Sequence, residues 1–145
     1  MIAVDTNLLV YAYRADSKFH AGARDLIDSL RHQSASWAIP WPCVHEFIGI
    51  VTHPKVFNPP APLIEALTAL ESWQAGGNLH MLAESPGYFE KLQMLAVAAH
   101  ITGPRIHDAR IAALCLHHGV SELWTADRDC SRFPQLKIRN PLIKK

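Results

Sequence analysis

The 145-residue sequence has few cysteines, no long apolar run and no excess of one charge. It contains no Cys-x-x-Cys or His-Glu-x-x-His motif, which argues against a zinc ribbon and a zinc hydrolase. No apolar run approaches the roughly 20 residues that a membrane-spanning helix needs. Lysine and arginine number 14 against 13 for aspartate and glutamate, which excludes a strongly polycationic nucleic-acid coat. The three cysteines, expected to be inert and buried, are Cys43, Cys115 and Cys130.

The composition is that of one globular domain. Hydrophobic residues make up 49% of the chain and charged residues 19%, which is an ordinary balance for a folded protein. A chain of this length fits one domain, so we predict a single domain over residues 1–145. The N-terminus has no basic stretch and carries Asp5, so no signal peptide is expected. We therefore expect a protein of the reducing cytoplasm with no membrane association.

Short apolar segments alternate with helical patterns along the chain. Strands are predicted at residues 2–4, 37–39, 79–83, 123–125 and 136–138. Helices are predicted at residues 18–31, 42–51, 63–73 and 106–118, and from an N-cap at Ser85 to about His100. This alternation predicts an α/β fold in which helices flank a central parallel β-sheet of four to five strands.

Four acidic residues from distant parts of the chain are predicted to meet at one edge of this sheet. Asp5 directly follows the first strand, and Asp127 follows the strand that ends at Thr125. Asp108 lies in the first turn of a predicted helix, and Glu46 lies on the helix after the second strand. Ligands of parallel α/β sheets bind beyond the carboxyl ends of the strands, which is where these acids are expected.

A cluster of carboxylates needs a compensating positive charge. Carboxylates that are packed together repel one another, and each loses hydration free energy on burial. Mg²⁺ and Mn²⁺ prefer hard oxygen ligands, and such an ion can activate water and stabilise charge on a phosphoryl group. The pattern therefore indicates phosphodiester hydrolysis. The residues alone leave a second interpretation open, in which Asp5 caps the following turn and Asp108 interacts with a helix dipole.

Four segments of the chain, in this order, resemble the signatures of PIN domains. They are Val-Asp-Thr-Asn at 4–7, Glu46, His-Asp-Ala-Arg-Ile-Ala-Ala at 107–113 and Thr-Ala-Asp-Arg-Asp at 125–129. More narrowly, the segments resemble the VapC toxins of bacterial VapBC toxin–antitoxin pairs. The resemblance runs from the first residues to about Pro134 and therefore covers nearly the whole chain.

The resemblance implies one PIN-like domain that is the toxin of a type II toxin–antitoxin pair. It implies an endoribonuclease that hydrolyses RNA phosphodiester bonds with Mg²⁺ or Mn²⁺ as cofactor. Asp5 and Asp108 would be direct metal ligands, and Glu46 and Asp127 would complete the catalytic pocket by binding the metal or its waters. The expected partners are RNA, a cognate VapB-type antitoxin and a second copy of the chain in a homodimer.

Small polar residues beside the acids match positions that orient the acids in this family. They are Thr6, Asn7 and Thr125, and Asp129 is a candidate fifth acid. Cys130 departs from the family pattern, because an aromatic residue is common at its position. We expect this departure to alter packing under the site and not the chemistry.

Basic residues are concentrated near the last two acids. Residues 105–145 contain eight basic and four acidic residues, whereas the rest of the chain is net negative. Arg110 and Arg128 are therefore candidate contacts to RNA phosphates, although a solvated basic face would give the same pattern. His45 and His107 each precede a site acid, but adjacent helical residues face different directions. We interpret them as structural or surface histidines, with His107 kept as a candidate phosphate contact.

The four tryptophans are assigned mainly to the core. Trp37, Trp73 and Trp124 are expected to be core residues. For Trp41 two interpretations stay open, a core residue or a surface residue that stacks on RNA bases.

Two other functions compete with the ribonuclease interpretation. One is a catalytically silent PIN-like module that binds RNA or a protein partner, which would show no Mn²⁺ binding by calorimetry. The other is a receiver or phosphatase of the acid-pocket α/β kind. It ranks last, because Asp5 is not followed by the Asp-x-Thr pattern of haloacid-type phosphatases.

Overall fold

A sheet of five strands forms the centre of the computed structural model, which describes residues 1–127 and 133–143. The strands are β1 (Ile2–Val4), β2 (Trp37–Pro40), β3 (Leu79–Leu82), β4 (Glu122–Trp124) and β5 (Ile138–Arg139). Their order across the sheet is β3-β2-β1-β4-β5, and every neighbouring pair is parallel. The prediction of an α/β fold with a parallel sheet of four to five strands is confirmed.

Six α-helices flank the sheet within the described part of the chain. They are α1 (Thr6–Tyr13), α2 (His20–His32), α3 (Trp41–Val51), α4 (Leu63–Gln74), α5 (Tyr88–Ala98) and α6 (Ile106–His117). A short 3₁₀ turn, Gly103–Arg105, leads into α6. No helix in residues 1–127 or 133–143 is long and apolar enough to cross a bilayer.

Helix α1 is absent from the sequence prediction, which placed no helix between β1 and residue 18. Its residues include several β-branched and aromatic types, which favour strands when they are considered one at a time. Tertiary packing overrides this preference, because the helix buries Leu8 and Leu9 in the core and packs against α2 and α3. Asp5 stands at its N-cap and accepts a hydrogen bond from the Thr6 N–H at 2.7 Å.

The predicted N-cap at Ser85 is wrong. Helix α5 begins at Tyr88, and its N-cap position is Gly87, which has a φ of +96°. Glycine reaches this left-handed conformation without steric cost, so the chain turns once more before the helix starts. The Ser85 Oγ lies 2.6 Å from His117 Nε2, which ties this turn to the end of α6.

The central strands carry the site because their carboxyl ends lie side by side. Ala3 of β1 pairs with Ala38 of β2, and Val4 of β1 pairs with Trp124 of β4. The segments that follow β1, β2 and β4 therefore begin at one edge of the sheet. Helix α6 precedes β4 in the parallel sheet, so α6 begins at this same edge.

Candidate active site

One cavity brings the four predicted acids together at the carboxyl edge of the sheet. Its volume is about 140 Å³. The polar residues that line it are Asp5, Thr6, Asn7, Glu46, Asp108 and Asp127. Its apolar residues are Ile50, Ile111, Ala112, Leu123, Phe133, Leu136 and Ile138. The structure thus gathers onto one surface acids that are spread over more than a hundred residues of sequence.

Asp5 is held in one orientation by the chain around it. Only 7% of the residue is exposed, and its backbone N–H donates to the Trp124 carbonyl at 2.9 Å. Its Oδ1 accepts from the Thr6 N–H at 2.7 Å and from the Cys43 thiol at 3.4 Å. Its Oδ2 accepts from the Thr125 hydroxyl at 2.8 Å. A carboxylate has about four acceptor directions, so these described donors leave one on Oδ2.

Thr125 joins the two ends of the site. It is 1% exposed, and while donating to Asp5 it accepts from Asn7 Nδ2 at 3.1 Å and from the Asp127 N–H at 3.0 Å. Asn7 Oδ1 in turn accepts from the Ala126 N–H at 3.1 Å. The segment that carries Asp127 is therefore fixed to the start of α1. The structure thus places Thr125 and Asn7 in contact with the segments that carry the acids, and their role in orienting the acids stays a prediction.

Glu46 lies on α3 close to two other carboxylates, those of Asp5 and Asp108. Its Oε2 accepts from the Thr6 hydroxyl at 3.1 Å. Partial burial raises the pKa of Glu46 above its ordinary value, and the negative charges of Asp5 and Asp108 raise it further. The hydrogen bond from Thr6 and the neighbouring His107 act in the opposite direction. A cation in the cavity would relieve this repulsion.

A second cavity of about 480 Å³ opens beside the acidic one. The two share Glu46, Asp108 and Ile111. His45 and His107 line the second cavity and are not among the residues that line the first. The two histidines therefore lie beside the acidic cavity and not in its wall, as different directions of adjacent helical residues allow.

Arg110, a candidate RNA contact, lines this second cavity and pairs with Glu84. Its Nε and Nη2 lie 3.0 Å and 2.8 Å from Glu84 Oε1. Both side chains are partly exposed, so the pair remains accessible to an incoming anion. Arg128, the other candidate RNA contact, lies outside the described residues. The same holds for Asp129, the candidate fifth acid, and for Cys130.

Cys43 touches the site more closely than the sequence analysis expected. It is fully buried, as predicted, but its thiol donates to Asp5. Burial raises the pKa of Cys43 well above its ordinary value, and the charge of Asp5 acts in the same direction. The spacing indicates only that Cys43 and Glu46, three residues apart on one helix, are neighbours, and it carries no signal for the contact with Asp5.

The residues present fit a hard divalent cation. Within residues 1–127 and 133–143, no three His, Cys, Asp or Glu side chains are arranged to coordinate one ion together. Mg²⁺ does not require such a set, because it is usually held by one or two carboxylates and keeps several waters. The cavity offers oxygen donors from four carboxylates, and Asp5 has an acceptor direction left on Oδ2. Oxygen-only donors suit Mg²⁺ and Mn²⁺ and are a poor match for softer metals.

Fold and site together define a class of protein, namely α/β domains with an acidic cavity across the ends of a parallel sheet. The family model described as "PIN domain" matches residues 2–136. The protein named "Ribonuclease VapC43" from Mycobacterium tuberculosis (strain ATCC 25618 / H37Rv) is 33% identical over 142 residues, which cover 98% of this chain and 96% of the relative. The chain belongs to the PIN domain family, in its group of VapC ribonucleases.

Solved structures share the fold. The VapBC2 structure from Rickettsia felis, bound to a DNA fragment from the promoter, has a TM-score of 0.66 at 19% identity. It covers 96% of this chain, which in turn covers 98% of that chain. The Mycobacterium tuberculosis VapC20 structure, described as a sarcin-ricin loop cleaving toxin, has a TM-score of 0.66 at 15% identity. The match covers 90% of this chain and 93% of VapC20.

Proposed function

We propose that this protein is the toxin of a type II toxin–antitoxin pair and acts as an endoribonuclease that hydrolyses RNA phosphodiester bonds with Mg²⁺ or Mn²⁺. The observation that carries the proposal is the convergence of Asp5, Glu46, Asp108 and Asp127 on one cavity. The family supports the same conclusion, because the chain is 33% identical to a protein named as a ribonuclease over nearly its whole length.

In this proposal Asp5 and Asp108 hold the ion directly. Glu46 and Asp127 complete the pocket by binding the ion or its waters. The ion, when bound, supplies positive charge for the phosphoryl oxygens and lowers the pKa of an attacking water. Among the described residues, no cationic side chain lines the acidic cavity.

The chain's own contribution is to hold the oxygen atoms in place before the substrate arrives. Asp5 is prevented from rotating by its three donors, so its Oδ2 keeps a fixed direction. Thr6 holds the Glu46 carboxylate at 3.1 Å from its hydroxyl and links α1 to α3. Preorganised groups of this kind spend no further free energy on reorganisation during the reaction.

We further propose a homodimer and an antitoxin as partners. Exposed apolar side chains on α5 support such contacts, because a monomer gains nothing by exposing them together. They are Phe89, Met94 and Val97, each close to half exposed or more. Light scattering on the Val97→Arg variant tests the dimer at this surface. A dimeric mass that the substitution lowers to that of a monomer is expected, and an unchanged mass excludes this surface.

The ribonuclease proposal is tested with purified, partner-free protein and total RNA. Incubation with Mg²⁺ or Mn²⁺ is compared with incubation in EDTA and with the Asp108→Asn variant. The matched control is Asp25→Asn, which makes the same change at an exposed position on α2. Discrete cuts that are lost in EDTA and in Asp108→Asn, but kept in Asp25→Asn, are the expected result.

Two other outcomes would contradict the proposal. Cleavage that persists in EDTA or in Asp108→Asn would remove the metal site from the reaction. A folded protein that shows neither cleavage nor Mn²⁺ binding by calorimetry would favour the silent binding module. Fragment ends from a positive result would also identify the RNA that is cut.

A further inference from the structure

The second cavity opens directly beside the acidic cavity. It shares Glu46, Asp108 and Ile111 with the acidic cavity, so the two form one continuous depression. Its volume of about 480 Å³ lies within the range typical of small-molecule sites. A phosphate placed at the acids would therefore have a neighbouring nucleotide at this second cavity, called here the side groove.

An aromatic pair stands beside the side groove, with His45 lining the groove and Trp41, which is not among the lining residues, stacked on His45. The two ring centroids are 5.9 Å apart, with an angle of 26° between the planes. Trp41 is the first residue of α3, directly after β2, so the sheet edge fixes its position. His45 follows one helical turn later on the same face, which is why the two rings meet.

Trp41 differs from the other large aromatic residues near the sheet. It is 38% exposed, whereas Trp37 is fully buried and Trp73 nearly so. Tryptophan carries a large apolar surface, and leaving it in water forfeits the stabilisation that burial would provide. An exposed indole already stacked on a second ring is a preformed platform for another flat ring.

The groove carries both signs of charge, because the carboxylates of Glu46 and Asp108 line it together with Arg110. Arg110 and His107 line it, so a cation and an imidazole lie beside the aromatic pair. Arginine contacts phosphate oxygens in two places at once, and its pairing with Glu84 holds the guanidinium at the groove. A platform for a base beside donors for a phosphate is the combination that single-stranded nucleic acids use.

We propose that Trp41 and His45 form a subsite that stacks on a nucleobase of single-stranded RNA, in the nucleotide next to the phosphate that is cut. The subsite rests on the proposed function for its place beside the reacting phosphate. Base stacking is tolerant of sequence because every base has a π face, so Trp41 contributes affinity more than sequence choice. Arg110 and His107 contact the flanking phosphate of the same nucleotide.

The test separates stacking from every other role of Trp41 by removing the bases from the probe. The two probes are a fluorescein-labelled mixed-sequence RNA octamer and an abasic ribose-phosphate octamer of the same length. Binding is measured in EDTA, so cleavage plays no part. We expect Trp41→Leu to weaken binding of the base-containing octamer about 5- to 150-fold, the range for loss of one base stack, and to leave the abasic octamer unaffected.

Two further variants control for the fold. Trp41→Phe keeps an aromatic ring and should restore most of the affinity. Phe19→Leu removes an aromatic ring of similar exposure, 42%, that packs on Tyr11 and not on a residue of the side groove, and should change nothing. Circular dichroism spectra and melting temperatures that match those of the parent protein show that each variant is folded.

Other results would overturn the subsite. Equal weakening of both octamers by Trp41→Leu would mean that Trp41 acts through the fold or through a protein contact. No weakening of either octamer would mean that the indole does not touch the base. Binding in EDTA also separates this proposal from the ribonuclease proposal. Base-dependent binding without cleavage in Mg²⁺ would refute only the activity, and cleavage without base-dependent binding would refute only the subsite.

Discussion

The Thr125 hydroxyl donates to Asp5 Oδ2 at 2.8 Å and joins two residues that lie 120 positions apart in the sequence. The contact exists because β1 and β4 are neighbours in the sheet, so the residues that follow them leave at the same edge. It fixes one carboxylate of the site and, through the Asp127 N–H, the segment that carries another. One buried hydroxyl thus holds residues at both ends of the cavity in place.

Replacement of Thr125 should therefore damage stability and metal binding together. Thr125→Val keeps the shape but leaves Asp5 Oδ2 without its donor, and the Asp127 N–H and Asn7 Nδ2 without their acceptor. We expect a loss of about 2–3 kcal/mol in the free energy of unfolding, measured by urea titration, together with weaker Mn²⁺ binding by calorimetry. Thr125→Ser keeps the hydroxyl and should recover most of both. A Thr125→Val variant as stable as the parent would show that these hydrogen bonds contribute little.

Removal of the Asp108 carboxylate should weaken the stabilisation of the protein by metal without lowering its stability in the absence of metal. Asp108 is one of the charges that raise the pKa of Glu46, so Asp108→Asn relieves repulsion in the metal-free state. We expect the metal-free variant to be at least as stable as the parent. The parent should gain about 2.7 kcal/mol when Mn²⁺ is present at a hundred times its dissociation constant, and Asp108→Asn should gain far less. Thermal unfolding with and without Mn²⁺ measures both, and an equal gain in the two proteins would exclude Asp108 as a ligand.

The salt dependence of RNA binding should report the role of Arg110. A contact to one phosphate of a single strand contributes about 0.7 to the slope of log affinity against log salt concentration. We expect Arg110→Gln to reduce the magnitude of that slope by about this amount. Arg24→Gln is the matched control, because Arg24 also pairs with a carboxylate but lies on α2. Equal slopes for the parent protein and Arg110→Gln would leave Arg110 as a partner of Glu84 alone.

The buried thiols should be unreactive in the folded protein. Cys43 and Cys115 are both fully buried, and burial raises the pKa of Cys43 well above its ordinary value, so access of a reagent and formation of the thiolate are both disfavoured. In the Cys130→Ser variant we expect no thiol to react with Ellman's reagent until guanidinium unfolds the protein. After unfolding, both remaining thiols should react. Rapid reaction of a thiol in the native state would mean that the region around Asp5 opens to solvent.

The acidic cavity was predictable because it follows from strand order. Residues after parallel strands share one edge of the sheet, so the positions of Asp5 and Asp127 could be read from the sequence pattern. Glu46 and Asp108 followed from the helices that begin at that edge. The structure brings all four to one cavity, while their roles as ligands stay a prediction.

The details that escaped prediction depend on contacts that sequence patterns do not encode. Helix α1 forms although its residues favour strands, because burial of Leu8 and Leu9 outweighs local preference. Helix α5 begins at Tyr88, later than predicted, because Gly87 adopts a left-handed conformation. The preference of serine for N-cap positions, which led to the prediction at Ser85, gives no sign of this turn. The thiol contact of Cys43 needed the relative placement of α3 and β1, which only the fold supplies.

The pairing of the first strand with the fourth has a consequence for how the protein is made. A ribosome releases Asp5 early but must synthesise more than a hundred further residues before Thr125 and Asp127 can join it. On the proposed function, a growing chain therefore cannot cut RNA while it is still being translated through α6. The active site is complete only after most of the messenger has been translated. Until then, the growing chain cannot cut its own messenger or the RNA of the ribosome.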